Sequence, residues 1–460
     1  MNRKIGRSRC VGLALTGCAC VGIVLAGVWL GGGGEGTVYD RNGKEIGALY
    51  LDGGILQYRC EEGYEAYMDL VRSETLDLVM EQEEADEKKA ARQIVSAAME
   101  IYTPLDPEAM EAVRSSYESN MDPSVYHSAS VVCDTEGALT ACYSLSRDTE
   151  TYNYVTVPHY PGSAVKPLSV YGPALEEGVI TWSSMYKDSP CAMVENQKGE
   201  MEEWPVNTEP YSEQLLPVCE AVKTSNNAIA VKVLKDYGAQ RACFFLHNMF
   251  DVETESELDA IRDKGEDRVL GNIALGYLEE GVTVRKMAEA YQVFSNMGVY
   301  TPSYTVTEIR EDGETYYQKE AEGKRVFRPG TAYIVNRLLR EAVLNGTGTG
   351  AQVEGTEVCG KTGTSEYGDH WFAGVTPEYS CAVWYEEQGI QGTTEKSAMI
   401  FRDIMKEIST DAKEAYPIPS EVTEALYCKK SGMLAGDGCR QTEKGFFDIQ
   451  NLPEQCSQCG

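Results

Sequence analysis

Histidine is scarce: four in 460 residues, at His127, His159, His247 and His370. They are scattered, so a histidine-based metal centre is not expected, and each reads as a surface or packing residue. Positive charge is short too, with 41 Lys and Arg against 72 Asp and Glu and a formal charge of -31. A surface this acidic repels phosphates, which excludes nucleic-acid binding as the expected function. Internal repeats are missing. So is a dinucleotide fingerprint: "GTGTG" at 346–350 follows a helical pattern rather than a strand, the wrong setting for a phosphate cradle. Paired zinc knuckles are lacking as well. Among the tail cysteines Cys428, Cys439, Cys456 and Cys459, only the last two have CxxC spacing, which points away from zinc. No metal and no cofactor is expected.

Long apolar runs are also absent, with one exception. Cys10 to Leu30 is uncharged and follows Arg3, Lys4, Arg7 and Arg9. It is long enough to cross a bilayer as a helix, and the preceding positive charge predicts a cytoplasmic tail over 1–9, an anchor over 10–30 and everything else outside the cell membrane. Two other readings of this run are a cleaved signal peptide and, at "LTGC", a lipoprotein box. Of the 15 cysteines, three lie in this run. The other twelve are an even number, compatible with disulfides in an exported chain.

Beyond the run, residues 31–94 read as an extracytoplasmic linker or stalk. Alternation around Asn42-Gly43 predicts a hairpin over 36–51, and the acidic, helix-rich stretch 60–100 predicts a solvated helix, either a stalk or a partner-binding element. A second hairpin is expected at 128–145, around "DTEG". Helices are expected at 166–177, 215–222, 228–237, 284–295 and 333–344, with strands again after Gly355. Strands first, helices in the middle and strands last predict an α+β domain, an antiparallel sheet flanked by a mainly helical subdomain.

Three polar triplets carry chemistry. "PGSAVKP" sets Ser163 and Lys166 three apart, on one face of a helical turn. A serine nucleophile needs a base, and a lysine qualifies only when neutral. At pH 7 only about one unperturbed lysine in a few thousand is neutral, and a downward shift of roughly three units removes about 4 kcal/mol of that penalty. The spacing alone is weak, because Ser184 and Lys187 repeat it. The second triplet, "SNN", places Ser225 and Asn227 in a loop between helices. The third, "KTGT", places Lys361, Thr362, Gly363 and Thr364 on a strand, where a glycine suits close approach of a ligand backbone. "Lys430-Ser431-Gly432" resembles this last pattern but lies outside the strand region.

SxxK, SxN and KTG in this order resemble the signature of penicillin-binding proteins and class A β-lactamases. The blocks "KTSNNAIA", "ALGYLEEGVTVRKMAEAYQVFSNMGVY", "NGTGTGA" and "CGKTGTSEYGDHWFAGVTPEYSCAVW" resemble a penicillin-binding protein transpeptidase domain over roughly 95–416, followed by a Cys-rich tail over 417–460. "Ile101-YTPLD" and the tail are most similar to bifunctional, class A members. The span from Gly36 to Ile101 is too short for their glycosyltransferase domain, so a separate glycan polymerase is an expected partner. The resemblance implies a β-lactamase/transpeptidase-like fold and a peptidoglycan D,D-transpeptidase that binds stem peptides and β-lactams. It implies Ser163 as nucleophile, Lys166 as base, Ser225 as proton relay, and Asn227 as holder of Lys166 and the substrate amide. Lys361, Thr362, Gly363 and Thr364 would bind substrate, and the backbone N–H groups of Ser163 and Thr364 would form an oxyanion hole. D,D-carboxypeptidase, β-lactamase, and a non-catalytic β-lactam sensor or wall scaffold are the alternatives.

Overall fold

The computed structural model describes residues 34–121, 125–147, 152–195, 198–320, 322–387, 394–409 and 415–459. The apolar run 10–30 and its basic flank lie outside the described residues. Among those described, no helix is long and apolar enough to cross a membrane.

The segment expected as a stalk is folded. Strands β1 (Gly36–Tyr39), β2 (Glu45–Asp52) and β3 (Ile55–Cys60) form a meander. The first turn is the expected Asn-Gly hairpin: Gly43 has φ +77°, and Asp40 Oδ1 accepts from the N–H of Asn42 (2.8 Å) and Lys44 (2.9 Å). Helices α1 (Glu65–Gln82) and α2 (Glu87–Ser96) follow, then β4 (Glu100–Tyr102). The acidic composition of 60–100 hides an apolar stripe. Tyr67, Met68, Leu70, Val71 and Val79 of α1, with Ile94 and Val95 of α2, are buried. A stripe of that width must be covered, which a free stalk does not do. Glu74 ties α1 down, accepting from Thr305 N (2.9 Å) and Thr305 Oγ1 (2.8 Å).

After α3 (Pro107–Asn120) come β5 (Val125–Asp134) and β6 (Leu139–Ser146), the second expected hairpin. The helical region contains α4 (Val218–Lys223), α5 (Asn227–Tyr237) and α6 (Val284–Ser295). A hairpin of β7 (Glu308–Glu311) and β8 (Glu314–Gln318) returns to the first sheet, whose order is β8-β7-β4-β1-β2-β3. Helix α7 (Pro329–Asn345) leads to β9 (Cys359–Thr364), β10 (Asp369–Val375) and β11 (Tyr379–Glu387), and α8 (Glu395–Ile408) follows.

The central sheet has the order β9-β10-β11-β5-β6 and is antiparallel throughout. Every residue of β10 is buried, so both faces are covered. Helix α6 packs on one face; α3 and α8 pack on the other, where Phe372 meets Phe401 edge-on at 4.8 Å. Strand β9 is an edge, and it carries the KTGT motif.

Two expected helices differ. Over 166–177 there is no single α-helix: a 3₁₀ turn spans Gly162–Val165, a wide π turn Pro167–Tyr171 and a short α turn Gly172–Glu176. Pro167 and Pro173 each lack an N–H, which breaks the regular ladder. Over 215–222, Leu215–Pro217 pairs as a strand with Met185–Lys187, and the helix begins at Val218 because Pro217 is held extended (φ -73°, ψ 155°). The tail folds as a hairpin of β12 (Val422–Cys428) and β13 (Thr442–Asp448). It docks through Arg328 Nη1 to Asp448 Oδ2 (2.6 Å) and through Phe446 against Trp182 (5.3 Å).

Candidate active site

Three remote chain segments meet beside β9. The first is the turn that carries Ser163. A 3₁₀ turn has three residues per turn, so Ser163 and Lys166 sit on the same side of it. Two glycines let the turn lie against its neighbours. Gly162 has φ +53°, and a Cβ there would lie 2.7 Å from Thr364 N and collide with Thr364 O. Gly276, at φ +78°, packs onto Gly162 in turn, and Gly162 N donates to Gly276 O (3.3 Å). Trp371 Nε1 holds the entry by donating to Tyr160 O (2.9 Å), and Tyr291 OH on α6 donates to Ala164 O (2.6 Å).

Gly363 has a different reason from the one its sequence suggested. A Cβ at this position would collide with Pro161 O and lie 2.9 Å from Ala164 Cβ. The backbone that approaches β9 here is the protein's own Ser163 turn. The glycine is required for assembling the site, and it is buried.

The second segment is the loop between α4 and α5. Ser225 adopts φ +58°, an uncommon conformation for a side chain without local help. Asn226 caps α5, its Oδ1 accepting from Ile229 N (2.9 Å), and Nδ2 donates to Asp188 Oδ1 (2.8 Å). Asp188 also accepts from Asn207 Nδ2 (2.8 Å) and Ser212 N (2.8 Å). Asn207 Oδ1 then accepts from Asn227 N (2.9 Å) and Ala228 N (3.1 Å). This Asp188–Asn207–Asn226 brace fixes the loop. Sequence reasoning missed Asp188 and Asn207, because single polar residues far from a motif carry no spacing signal. Asn226 lay inside the motif, and its capping contact was the available clue.

The two lysines are the centre of the arrangement. Lys166 Nζ donates to Asn227 Oδ1 (2.7 Å) and Ser225 O (3.0 Å). Lys361 Nζ donates to Ser225 Oγ (2.8 Å) and Thr362 O (3.1 Å). Both lysines have no solvent exposure. Burial holds the Lys166 pKa well below the usual lysine value, and the nearby Lys361 cation pushes in the same direction. Burial alone brings Lys361 down to about 7. Ser225 therefore bridges the two lysines, with its carbonyl on one and its hydroxyl on the other. Thr362 Oγ1 lies 2.8 Å from Thr347 Oγ1, while Thr364 is exposed at the end of the edge strand. Among the described residues no carboxylate hydrogen-bonds Lys166, Ser225, Asn227 or Lys361.

The other lookalikes fall elsewhere. Ser184 Oγ accepts from Thr181 N (2.8 Å), and Lys187 is an exposed partner of Glu213 at 2.7 Å. Ser431 belongs to the tail, where its hydroxyl donates to Cys456 Sγ (3.2 Å). His159 stacks on Trp384 with centroids 3.5 Å apart, and burial lowers its pKa to about 3, so it is a packing histidine.

Residues 113–406, more than half the chain, match the model of the penicillin binding protein transpeptidase domain. The chain is 29% identical over 371 residues to penicillin-binding protein 1F of Bacillus subtilis (strain 168), covering 76% of this chain and 49% of that one. It is 27% identical over 350 residues to penicillin-binding protein 4 of the same organism, covering 70% and 53%. It thus spans about half the length of these curated relatives. Penicillin-Binding Protein 1A from Haemophilus influenzae has a similar fold, with a TM-score of 0.68, 17% identity and coverage of 88% of this chain and 78% of that one. The D,D-Transpeptidase Domain of Peptidoglycan Glycosyltransferase from Eggerthella lenta gives a TM-score of 0.61 at 18% identity, covering 82% and 99%. With the α+β fold and the three converging triplets, these matches lead to one conclusion: the chain belongs to the penicillin-binding protein transpeptidase family.

Proposed function

We propose that this protein is a D,D-transpeptidase that cross-links peptidoglycan stem peptides through an acyl-enzyme on Ser163, with its catalytic domain outside the cell membrane. The observation that carries the reading is the buried Lys166, held by Asn227 Oδ1 and Ser225 O, whose pKa burial and the Lys361 charge hold well below the usual lysine value. A neutral amine within one turn of a serine is the base that such a nucleophile lacks on its own.

In the first step Ser163 Oγ attacks the carbonyl of the penultimate D-Ala, and its proton passes to Lys166 Nζ. The C–N bond then breaks. The departing D-Ala amine takes up a proton through Ser225 Oγ, which Lys361 Nζ contacts at 2.8 Å. In the second step an amine of a neighbouring stem attacks the ester, loses its proton by the reverse route, and frees Ser163. The N–H groups of Ser163 and Thr364 stabilise the oxyanion, where losing one donor costs about a hundredfold or more in rate. The Gly162 turn rests directly on the Thr364 backbone, which supports pairing these two amides. Lys361, Thr362 and Thr364 bind the substrate carboxylate, and the peptide lies along the β9 edge as an added strand. The run 10–30 anchors the chain, and a separate protein supplies the glycan strand. The test is covalent labelling by a fluorescent penicillin followed by turnover of nitrocefin. Stoichiometric labelling at Ser163 with little turnover supports the reading. Repeated turnover points to a β-lactamase, and a wild type that takes no label removes the enzyme reading.

A further inference from the structure

Outside the three converging segments, the tail gathers metal-ligating side chains that its spacing did not reveal. The Sγ atoms of Cys428, Cys439, Cys456 and Cys459 all lie within 4.8 Å of one another. They come from three places: the end of β12, the turn leading to β13, and the terminal CxxC. Only that last pair is a recognisable knuckle, which is why the sequence pointed away from zinc. The second pair is built by folding. Cys428 N donates to Met433 O (2.8 Å), and Cys456 N donates to Leu434 O (2.8 Å). Residues 433–434 therefore act as a spacer with Cys428 on one side and Cys456 on the other. Leu434 N donates to Glu454 O (3.0 Å) and completes the ladder.

We propose that these four cysteines form a structural zinc site that closes the tail onto the transpeptidase domain. The sulfur spacing suits it. Cys428 and Cys459 Sγ are 3.6 Å apart. A disulfide requires about 2.05 Å. The edge of a tetrahedron with Zn–S bonds of about 2.3 Å is about 3.8 Å. Four thiolates fill all four positions, so the site is closed and structural rather than catalytic. Outer contacts suit thiolates too: Ser431 Oγ donates to Cys456 Sγ (3.2 Å) and Gly436 N donates to Cys439 Sγ (3.4 Å). Zinc with four thiolates carries two net negative charges. Lys430, two residues after Cys428, and Arg440, directly after Cys439, are both exposed and offset that charge. Loading replaces four S–H protons by one Zn²⁺, with no redox change.

The staple has something to hold. Tyr427, next to Cys428, is buried with its OH 3.5 Å from Cys219 Sγ on α4, the helix that runs into the Ser225 loop. Ser183 Oγ donates to Gly432 O (2.5 Å), and a Cβ at Gly432 would collide with Ser183 O. The cysteine turn is thus pressed against the domain at Ser183 and, through Tyr427, at α4.

The experiment measures metal in the full chain purified without chelator. One zinc per chain is expected, released by a mercurial thiol reagent. Replacement by cobalt should give the strong near-ultraviolet thiolate-to-metal absorption and the visible bands of a tetrahedral site. Cys459→Ser, at a half-buried end of the tail, should lose zinc affinity by about tenfold or more. It should also lower the melting temperature, yet still label at Ser163. Cys439→Ser should do the same and guards against one variant misfolding. Failure of reduced wild type to hold zinc after exposure to it overturns the proposal. So does peptide mapping that finds Cys428 joined to Cys459 as a disulfide in zinc-supplied protein.

Discussion

Ser163 and Lys166 stand three apart, and so do Ser184 and Lys187, but the two pairs share nothing else. Around Ser163 the chain makes a 3₁₀ turn clamped between β9 and Gly276, and Lys166 is wholly buried on Asn227 and Ser225. Ser184 sits in a turn, and Lys187 ends a short strand with its ammonium in water beside Glu213. Lys187 pairs with Glu213 and Ser184 Oγ accepts from Thr181 N, so the two side chains are engaged with other partners. The difference teaches that spacing supplies proximity while burial disfavours the charged amine, and only the first pair has both.

The sharpest break of that comparison is in the serines. Ser163→Ala should abolish covalent penicillin labelling, whereas Ser184→Ala should label like wild type on a denaturing gel. The lysines come next. Lys166→Met removes the base and should slow acylation by about 10²–10⁴-fold, while Lys187→Met leaves it unchanged in a stopped-flow assay. For wild type, acylation should fall roughly tenfold per pH unit below the depressed Lys166 pKa, since the protonated form is inactive there. Asn227→Ala deprives Lys166 of a 2.7 Å partner and should slow acylation by about 2–10-fold, the worth of one hydrogen bond between neutral groups.

Smaller effects sharpen the comparison through stability. Lys361 titrates near 7 in the fold against 10.5 unfolded, so the unfolded chain binds more protons between those values. Stability contributed by this site is therefore full above about 10.5 and is lost as pH falls toward 7. Lys361→Met should flatten that slope and raise the melting temperature at pH 7 while reducing labelling, whereas Lys187→Met should do neither; pH-dependent thermal melts decide. Asp188→Ala should cost about 1–3 kcal/mol, because it unpairs the amides of Asn207 and Asn226, and denaturant titration measures this.

Much of the fold was legible because it rests on local rules. Asn42-Gly43 and "DTEG" specified their turns, and Val284–Ser295 showed its helical period plainly. The stretch 60–100 misled because its charge masks the buried side of α1 and α2; composition averages over faces that packing separates. The helix expected after Lys166 failed at Pro167 and Pro173, where a missing N–H outweighs apolar periodicity. Gly363 was correctly singled out as a close approach, but the approaching backbone is Pro161 of the same chain.

By itself, the sequence determined which side chains to propose for the chemistry: Ser163, Lys166, Ser225, Asn227 and the Lys361–Thr364 strand, in the order of three short motifs. Tertiary structure decided what each of them is. It buried Lys166 beside Lys361, which lowers its proton affinity, and it left Lys187 in water. It braced the Ser225 loop with Asp188 and Asn207, and it drew four unevenly spaced cysteines within reach of one ion. Pattern along a chain fixes residue types and local turns. Desolvation, the approach of remote charges and the closing of ligand shells are set by neighbours in space.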